Sequence, residues 1–426
     1  MEDLFGLYIN FLNWFFNSAW IWLPFVLGGV FFNLWIYYIQ RAYWQSFDWV
    51  MLEIKPPKEI LETPKNMENI FAGVWSAVGS VGTKYKKYVL GMPQDYFSFE
   101  IVGLNGEVHF YLRVLKKYRD LVEAQFYSQY PHAEIKETED YISGIPSDIP
   151  NKSWDFWATK VKLEKDSVYP IRTYPQFMDK TKLGDVFLDP LAGFMEIMGK
   201  LKFGEQIWIQ LIFRPMPESW AKAEAQEHIA KLAGKPAAAK KEGAFAQDWR
   251  TWKESIAGVS KELVTNKAAV SATAKPAAEA PASKMMFLTA GEKDIITAIE
   301  EKISKRVFET KLQWAYIARR EIFSQANVTA VNGLFNQFTT LNLNNFKNDA
   351  QSATKADYAL TAYRKAYKQR KMIKTLRTRS FWEKGFVLNT EELATVYHLP
   401  TEQVRSPITP FIEAKKGSAP VGLPVE

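Results

Sequence analysis

The chain contains no cysteine among its 426 residues. Disulfides, thiolate nucleophiles and cysteine-ligated zinc or iron–sulfur centres are therefore excluded. Histidine is almost as scarce: His109, His132, His228 and His398 are the four copies, and no two have metal-ligand spacing. No G-x-x-x-x-G-K-S/T phosphate loop, G-x-G-x-x-G, H-E-x-x-H, G-x-S-x-G or EF-hand loop occurs. The nearest approach, Gly79 to Lys84, has the wrong spacing. The acidic group Glu134, Glu137, Glu139 and Asp140 reads as a solvated strand end rather than paired catalytic carboxylates. A non-enzymatic protein without cofactor or metal is the expectation.

What is present has globular composition. Hydrophobic residues at 47% and charged residues at 24% rule out a wholly disordered or fibrous chain. At about 150 residues per domain the length predicts two to three domains. Fifteen tryptophans make the placement of aromatic residues informative.

One long hydrophobic run stands near the start. Residues 19–38 read AWIWLPFVLGGVFFNLWIYY, with Asn33 the one strongly polar residue. As a helix this run is about 30 Å long, the thickness of a bilayer hydrocarbon core. Trp20, Trp22, Trp35, Tyr37 and Tyr38 crowd its two ends, where amphipathic rings favour the headgroup level. A cleaved signal peptide would want a basic start and a small-residue cleavage site. Here Glu2 and Asp3 open the chain, and Arg41 with bulky aromatics follows the run. A transmembrane anchor is expected, with a buried core helix as the competing reading. Before it, Asn10, Asn13 and Asn17 share one stripe of an otherwise apolar stretch, the pattern of an interfacial helix. The first 18 residues hold no Lys or Arg, whereas Arg41, Lys55 and Lys58 follow the run. The positive-inside rule then puts the N-terminus outside and the body in the cytoplasm, as a single-pass plasma-membrane protein.

The body reads as α+β. Alternating or β-rich segments at 49–54, 96–102, 107–114 and 133–138 enclose helical ones at 66–78 and 115–130, and Asn105-Gly106 is a strong hairpin signal. The order β-α-β-β-α-β is that of a ferredoxin-like unit. Strands at 155–163, 205–213 and 307–317, with helices at 190–201 (Asp189 as N-cap), 291–305 and 319–338, suggest a second unit of the same kind. The expected organisation is an anchor at 1–45, a first ferredoxin-like domain at 46–142, and a second α+β domain at 153–233 plus 286–345. An insertion at 234–285, a basic helix at 346–384 and a closing element with a proline-rich tail at 385–426 complete it.

Two segments carry candidate binding functions. Within the Ala/Lys/Pro-rich insertion, Phe245, Trp249, Trp252, Ile256, Val259 and Leu263 recur at intervals of four and three, one apolar stripe of a helix. Such a helix suits a partner's groove; the alternative is that it packs on its own domain. Residues 364–379 hold Arg364, Lys365, Lys368, Arg370, Lys371, Lys374, Arg377 and Arg379 and no acid, so a chain of net charge +7 would be −1 without them. Ala366, Ile373 and Leu376 give this helix a narrow apolar stripe. Its cations suit anionic lipid, nucleic acid or an acidic partner, or else form a solvated face.

Residues 386–400 (FVLNTEELATVYHLP) read as a short strand, then Asn389 as N-cap with Glu392 three residues on, then a helix stopped by Pro400. This element resembles the one closing the N-terminal, non-ATPase region of bacterial conjugation and type IV secretion-like ATPases, especially the membrane-anchored versions in candidate-phyla-type bacteria. Residues 97–111 and 121–135 resemble the same family. In family members carrying the ATPase, a nucleotide-binding domain follows the leucine–proline element, whereas this chain stops soon after it. The resemblance thus implies a stand-alone accessory version, with ATP hydrolysis supplied by a separately encoded ATPase. The expectation is a membrane-anchored cytoplasmic scaffold docking that ATPase. The alternative is a membrane-tethered nucleic-acid-binding protein acting through the basic helix, with a membrane-bound enzyme behind both. A homo-oligomer is compatible with either.

Overall fold

The computed structural model describes Gly6, residues 13–57, 63–78, Met92, and residues 94–179, 186–217, 224–229, 289–357 and 360–401. The insertion stripe from Phe245 to Leu263, the tail beyond residue 401 and most of the expected interfacial helix lie outside these residues. What is described of the last, residues 13–17, is helical and ends in a turn at Ser18, whose hydroxyl donates to the Phe15 carbonyl. Helix α1 (Ala19–Gln45) follows, seven residues longer than the apolar run and with no buried residue.

The first half is β1 (Trp49–Lys55), α2 (Pro64–Val78), β2 (Phe97–Leu104), β3 (Glu107–Leu115), α3 (Arg119–Gln129) and β4 (Glu134–Thr138). Its strands stand in the order β4-β1-β3-β2, every neighbour antiparallel. This is the expected ferredoxin-like circuit. Asn105 and Gly106, with φ of 53° and 96°, make the two-residue turn that hairpin twist requires.

The second half is β5 (Trp154–Leu163), a short ribbon of β6 (Met178–Asp179) and β7 (Val186–Phe187), α4 (Ala192–Gly199), β8 (Glu205–Pro215), α5 (Ala290–Ser304), β9 (Val307–Arg319), α6 (Gln325–Phe335) and β10 (Phe346–Asn348). Its order β10-β5-β9-β8 repeats that of the first half, again antiparallel throughout. Strand β10, which falls in the stretch read as the basic-helix region, occupies the fourth position. The helix expected from 319 begins only at Gln325, because β9 runs to Arg319, opposite Trp154 of β5. Asp189 is not the N-cap of α4: Leu191 occupies that position, and the Asp189 carboxylate accepts from the Leu191 amide while also holding His398 and Thr401.

The halves share one sheet. Strand β2 pairs antiparallel with β8 from Phe97 opposite Phe213 to Leu104 opposite Gln206. The C-terminal part adds α7 (Thr361–Thr378), β11 (Phe386–Asn389) and α8 (Thr390–Val396), and β11 pairs with β9 as the ninth strand. The near face of the sheet carries α2, α3, α4, α6 and α8 over one continuous core. At the seam Phe71, Phe97, Phe99, Phe213 and Phe308 meet with ring centroids 4.8–6.3 Å apart. Removing one such ring costs about 3–5 kcal/mol, so the seam welds the halves. The far face buries Val102, Tyr111, Phe156, Trp208 and Ile317 beneath α7 and the 142–149 segment.

Candidate functional site on the far face

The end of α1 is bracketed to the body by aromatic rings. Tyr37 meets Trp382 edge-on at 4.7 Å, and Trp44 lies 4.5 Å from Tyr96, which in turn contacts Trp49 and Phe381. Phe381 carries the cations of Arg214 (4.4 Å) and Lys311 (4.9 Å) on its face. Trp20, Trp35, Tyr37 and Tyr38 are exposed along α1, while Trp22 is half-buried and stacks on Phe15 at 4.6 Å.

Helix α7 contains seven of the eight predicted cations and lies across the far face. Its buried side is Gln369, Met372, Ile373 and Leu376, wider than the stripe read from sequence, with Ala366 half-buried. Gln369 anchors the helix by donating to Asp155 and to the Phe156 carbonyl. The cations divide into distinct roles. Lys368 donates to the carbonyls of Ala350, Ala353 and Lys355, and Arg377 to those of Ile145 and Pro146. Lys365 stands 3.8 Å from Asp155. Arg364, Arg370, Lys371 and Lys374 are exposed and make no ion pair among the described residues.

Arg379 departs furthest from expectation, for its side chain is wholly buried. It follows α7 in a left-handed conformation, φ 47°, which turns the guanidinium back under the helix. Nε and Nη2 donate to Glu100 at 2.6 and 2.9 Å, and Nη1 and Nη2 to Asp140 at 2.6 and 3.0 Å. Glu100, fully buried on β2, also accepts from Ser98, Tyr141 and Gln210, and Gln313 donates to Gln210 at 2.6 Å. This chain crosses the seam from β2 to β8 to β9. Burial pushes the Asp140 carboxyl up, but the Arg379 hydrogen bonds outweigh it and hold the group below the usual range. Asp140 is thus a member of this network rather than of a solvated strand end. Glu100 in the otherwise apolar run FSFEIVGL was the available sequence signal: a lone carboxylate there needs a buried cation.

Beside this network the edge of β9 changes partner. Strand β5 pairs with it as far as Val161 opposite Leu312, and β11 takes over at Phe386 opposite Thr310. Lys311, between them, pairs on neither strand, and a cleft of about 350 Å³ opens there. Gly385 forms its rim, so close to β9 that a Cβ would lie 2.3 Å from the Thr310 carbonyl oxygen. Five lysines line the cleft. Lys160 pairs with Glu383, Lys162 with Asp349 at 3.2 Å, and Lys165 donates to the carbonyls of Leu341 and Asn342. Among the described residues Lys311 has one hydrogen bond, to the Ser380 carbonyl at 3.3 Å. Lys384 is exposed. Burial, then the neighbouring Lys160 charge, lowers the Lys311 ammonium to about 8. No sequence signal pointed to this cleft, because it arises from a change of strand partner.

Elsewhere, Lys302 and Glu392 form a fully buried pair at 2.9 Å behind α8. The expected capping box is present there, Asn389 and Glu392 each accepting from the other's backbone amide. Burial lowers Lys302 and raises Glu392. Among the described residues no group of three or more His, Asp or Glu side chains could hold a metal ion.

Fold and site together define a two-half antiparallel α+β body mounted on an apolar helix. The chain belongs to the family described as Domain of unknown function (DUF8128), which it matches over residues 44–409. The match takes in both halves and the closing element and leaves nearly all of α1 outside. No curated protein matches the chain.

Proposed function

We propose that this protein is a single-pass plasma-membrane protein whose cytoplasmic body is a docking scaffold for a separate machine. The observation that carries the reading is α1: 27 residues, about 40 Å of helix, apolar and nowhere buried, yet bracketed at its end to the body. The lysine-free first 18 residues and the cations Arg41, Lys55 and Lys58 favour an outside N-terminus. The resemblance of residues 97–111, 121–135 and 386–400 supports a translocation ATPase of the type IV secretion or conjugation kind as the partner. Phe245, Trp249, Trp252, Ile256, Val259 and Leu263 are the proposed docking side chains. Affinity purification of the full chain from its native membranes should recover an ATPase, and Trp249→Ala with Trp252→Ala should abolish that recovery. Equal recovery from the double variant removes the docking role; no ATPase in either preparation removes the partner.

The exposed Arg364, Arg370, Lys371 and Lys374 favour a second reading, nucleic-acid binding by α7. Each DNA phosphate deprived of its cation reduces the log–log slope of affinity against salt by about 0.9. Reversing these four charges should reduce that slope markedly, and an unchanged affinity refutes the reading.

A further inference from the structure

The cleft at the partner change of β9 is lined by five lysines against three carboxylates, Asp166, Asp349 and Glu383. Its position is fixed by pairing, since β5 and β11 occupy the same edge of β9 and leave the Lys311 position open between them. Its size, about 350 Å³, suits a small headgroup-sized ligand. Two of its five lysines are matched by carboxylates and a third by backbone carbonyls. Lys311 and Lys384 form no ion pair among the described residues, and Glu383 and Glu309 act on the Lys311 charge only through space. Lys311 is half-buried beside a like charge, so its ammonium gains from any anion that replaces lost water.

The cleft also lies where α1 joins the body. Lys311 rests on Phe381, and Trp382, two residues before Lys384, meets Tyr37 of α1. Exposed Lys371 of α7 is close enough to Glu383, on the cleft wall, to act on its charge.

We infer that this cleft binds the phosphate group of a small phosphate-bearing anion, with the ammonium groups of Lys311 and Lys384 as its ligands. The same chemistry is offered by an anionic phospholipid headgroup or a soluble phosphate ester. A lipid source rests on the membrane reading above; a soluble source does not. Lys160 and Lys162 keep their carboxylate partners and shape the walls.

Lysine footprinting by amine acylation and mass spectrometry tests this on the full chain in phosphatidylcholine nanodiscs. Three preparations are compared at pH 8: discs alone, discs with glycerol 3-phosphate, and discs containing phosphatidylglycerol. Acylation of Lys311 and Lys384 should slow at least fivefold in one or both ligand arms, with exposed Lys136 and Lys200 unaffected. Slowing only with phosphatidylglycerol supports the lipid headgroup; slowing with glycerol 3-phosphate supports the soluble ester. Protection of Lys384 should vanish in Lys311→Gln and persist in Lys311→Arg. Rates at both lysines equal in all three preparations overturn the proposal. So does equal slowing at Lys136, or Lys384 protection that survives Lys311→Gln. A chain that leaves membranes on alkaline extraction fails the membrane reading, and the soluble arm, run in detergent, still decides the cleft.

Discussion

Replacing Arg379 by methionine is the severest test of the far-face architecture. The guanidinium and the Glu100 carboxylate are both fully buried, joined by two hydrogen bonds of 2.6 and 2.9 Å. Methionine fills much of the volume but strips the buried Glu100 carboxylate of the cation that is hydrogen-bonded to it. Breaking one side of a buried pair costs about 3–5 kcal/mol, most of it the penalty of the stranded charge. Asp140, partly exposed, recovers water and adds little. Removing the charge as well, in Arg379→Met with Glu100→Gln, should return much of the loss, since the amide still faces Ser98, Tyr141 and Gln210. The cycle should then give a coupling above about 2 kcal/mol. Arg370→Met on the exposed side of α7 should stay within about 0.5 kcal/mol. Urea unfolding of the detergent-solubilised full chain, followed by fluorescence of buried Trp208 and Trp314, provides the assay. If Arg379→Met costs less than about 1 kcal/mol, or if the double variant loses the sum of the singles, Arg379 is a surface cation and the described network is wrong.

Gly385→Ala places a methyl group 2.3 Å from the Thr310 carbonyl oxygen and should force β11 off β9; hydrogen exchange at 386–389 should accelerate at least tenfold, and unchanged protection contradicts the register. Lys311, lowered to about 8 against about 10.4 when unfolded, makes the unfolded chain bind more protons between those values, so stability should rise with pH across that window. Lys311→Gln should remove the rise and stabilise the protein at pH 7 by about 1–3 kcal/mol, read from melts at pH 7 and 10. Asp140, Glu68 and Asp189 all have lowered folded values: burial opposes the shift in each, and it is outweighed by Arg379, by Lys305 and Tyr174, and by His398. Their contribution is present above the unfolded carboxyl range of about 3.9–4.3 and lost as pH falls through the folded values, so thermal stability should drop below about pH 4.

Local patterns carried much of this fold into the sequence. Asn105-Gly106 set a hairpin, alternation in 49–54 set a strand face, and Asn389 with Glu392 set a capping box, because each is decided by a few neighbouring residues. The first ferredoxin-like circuit followed from their order. The fusion of the halves did not, since pairing of Phe97 with Phe213 joins strands more than a hundred residues apart and leaves no local mark. The basic helix was visible as a run of cations, but the run gave no sign of their division. Arg379 is drawn inside by Glu100 and Asp140, far away in the chain, and Lys368 and Arg377 are committed to carbonyls that only the fold brings near. The lysine cleft was illegible for the same reason: Lys160, Lys311 and Lys384 converge only once β5 and β11 share an edge of β9.

The membrane role of α1 is tested most directly by alkaline carbonate extraction of membranes carrying the full chain, beside a variant with Leu27→Arg and Val30→Arg. Each arginine near the middle of a span costs about 2.5–3.5 kcal/mol of insertion. Helix α1 as an anchor predicts the unaltered chain in the membrane pellet and the double variant in the supernatant. Release of the unaltered chain, or retention of the double variant to the same extent, would contradict it.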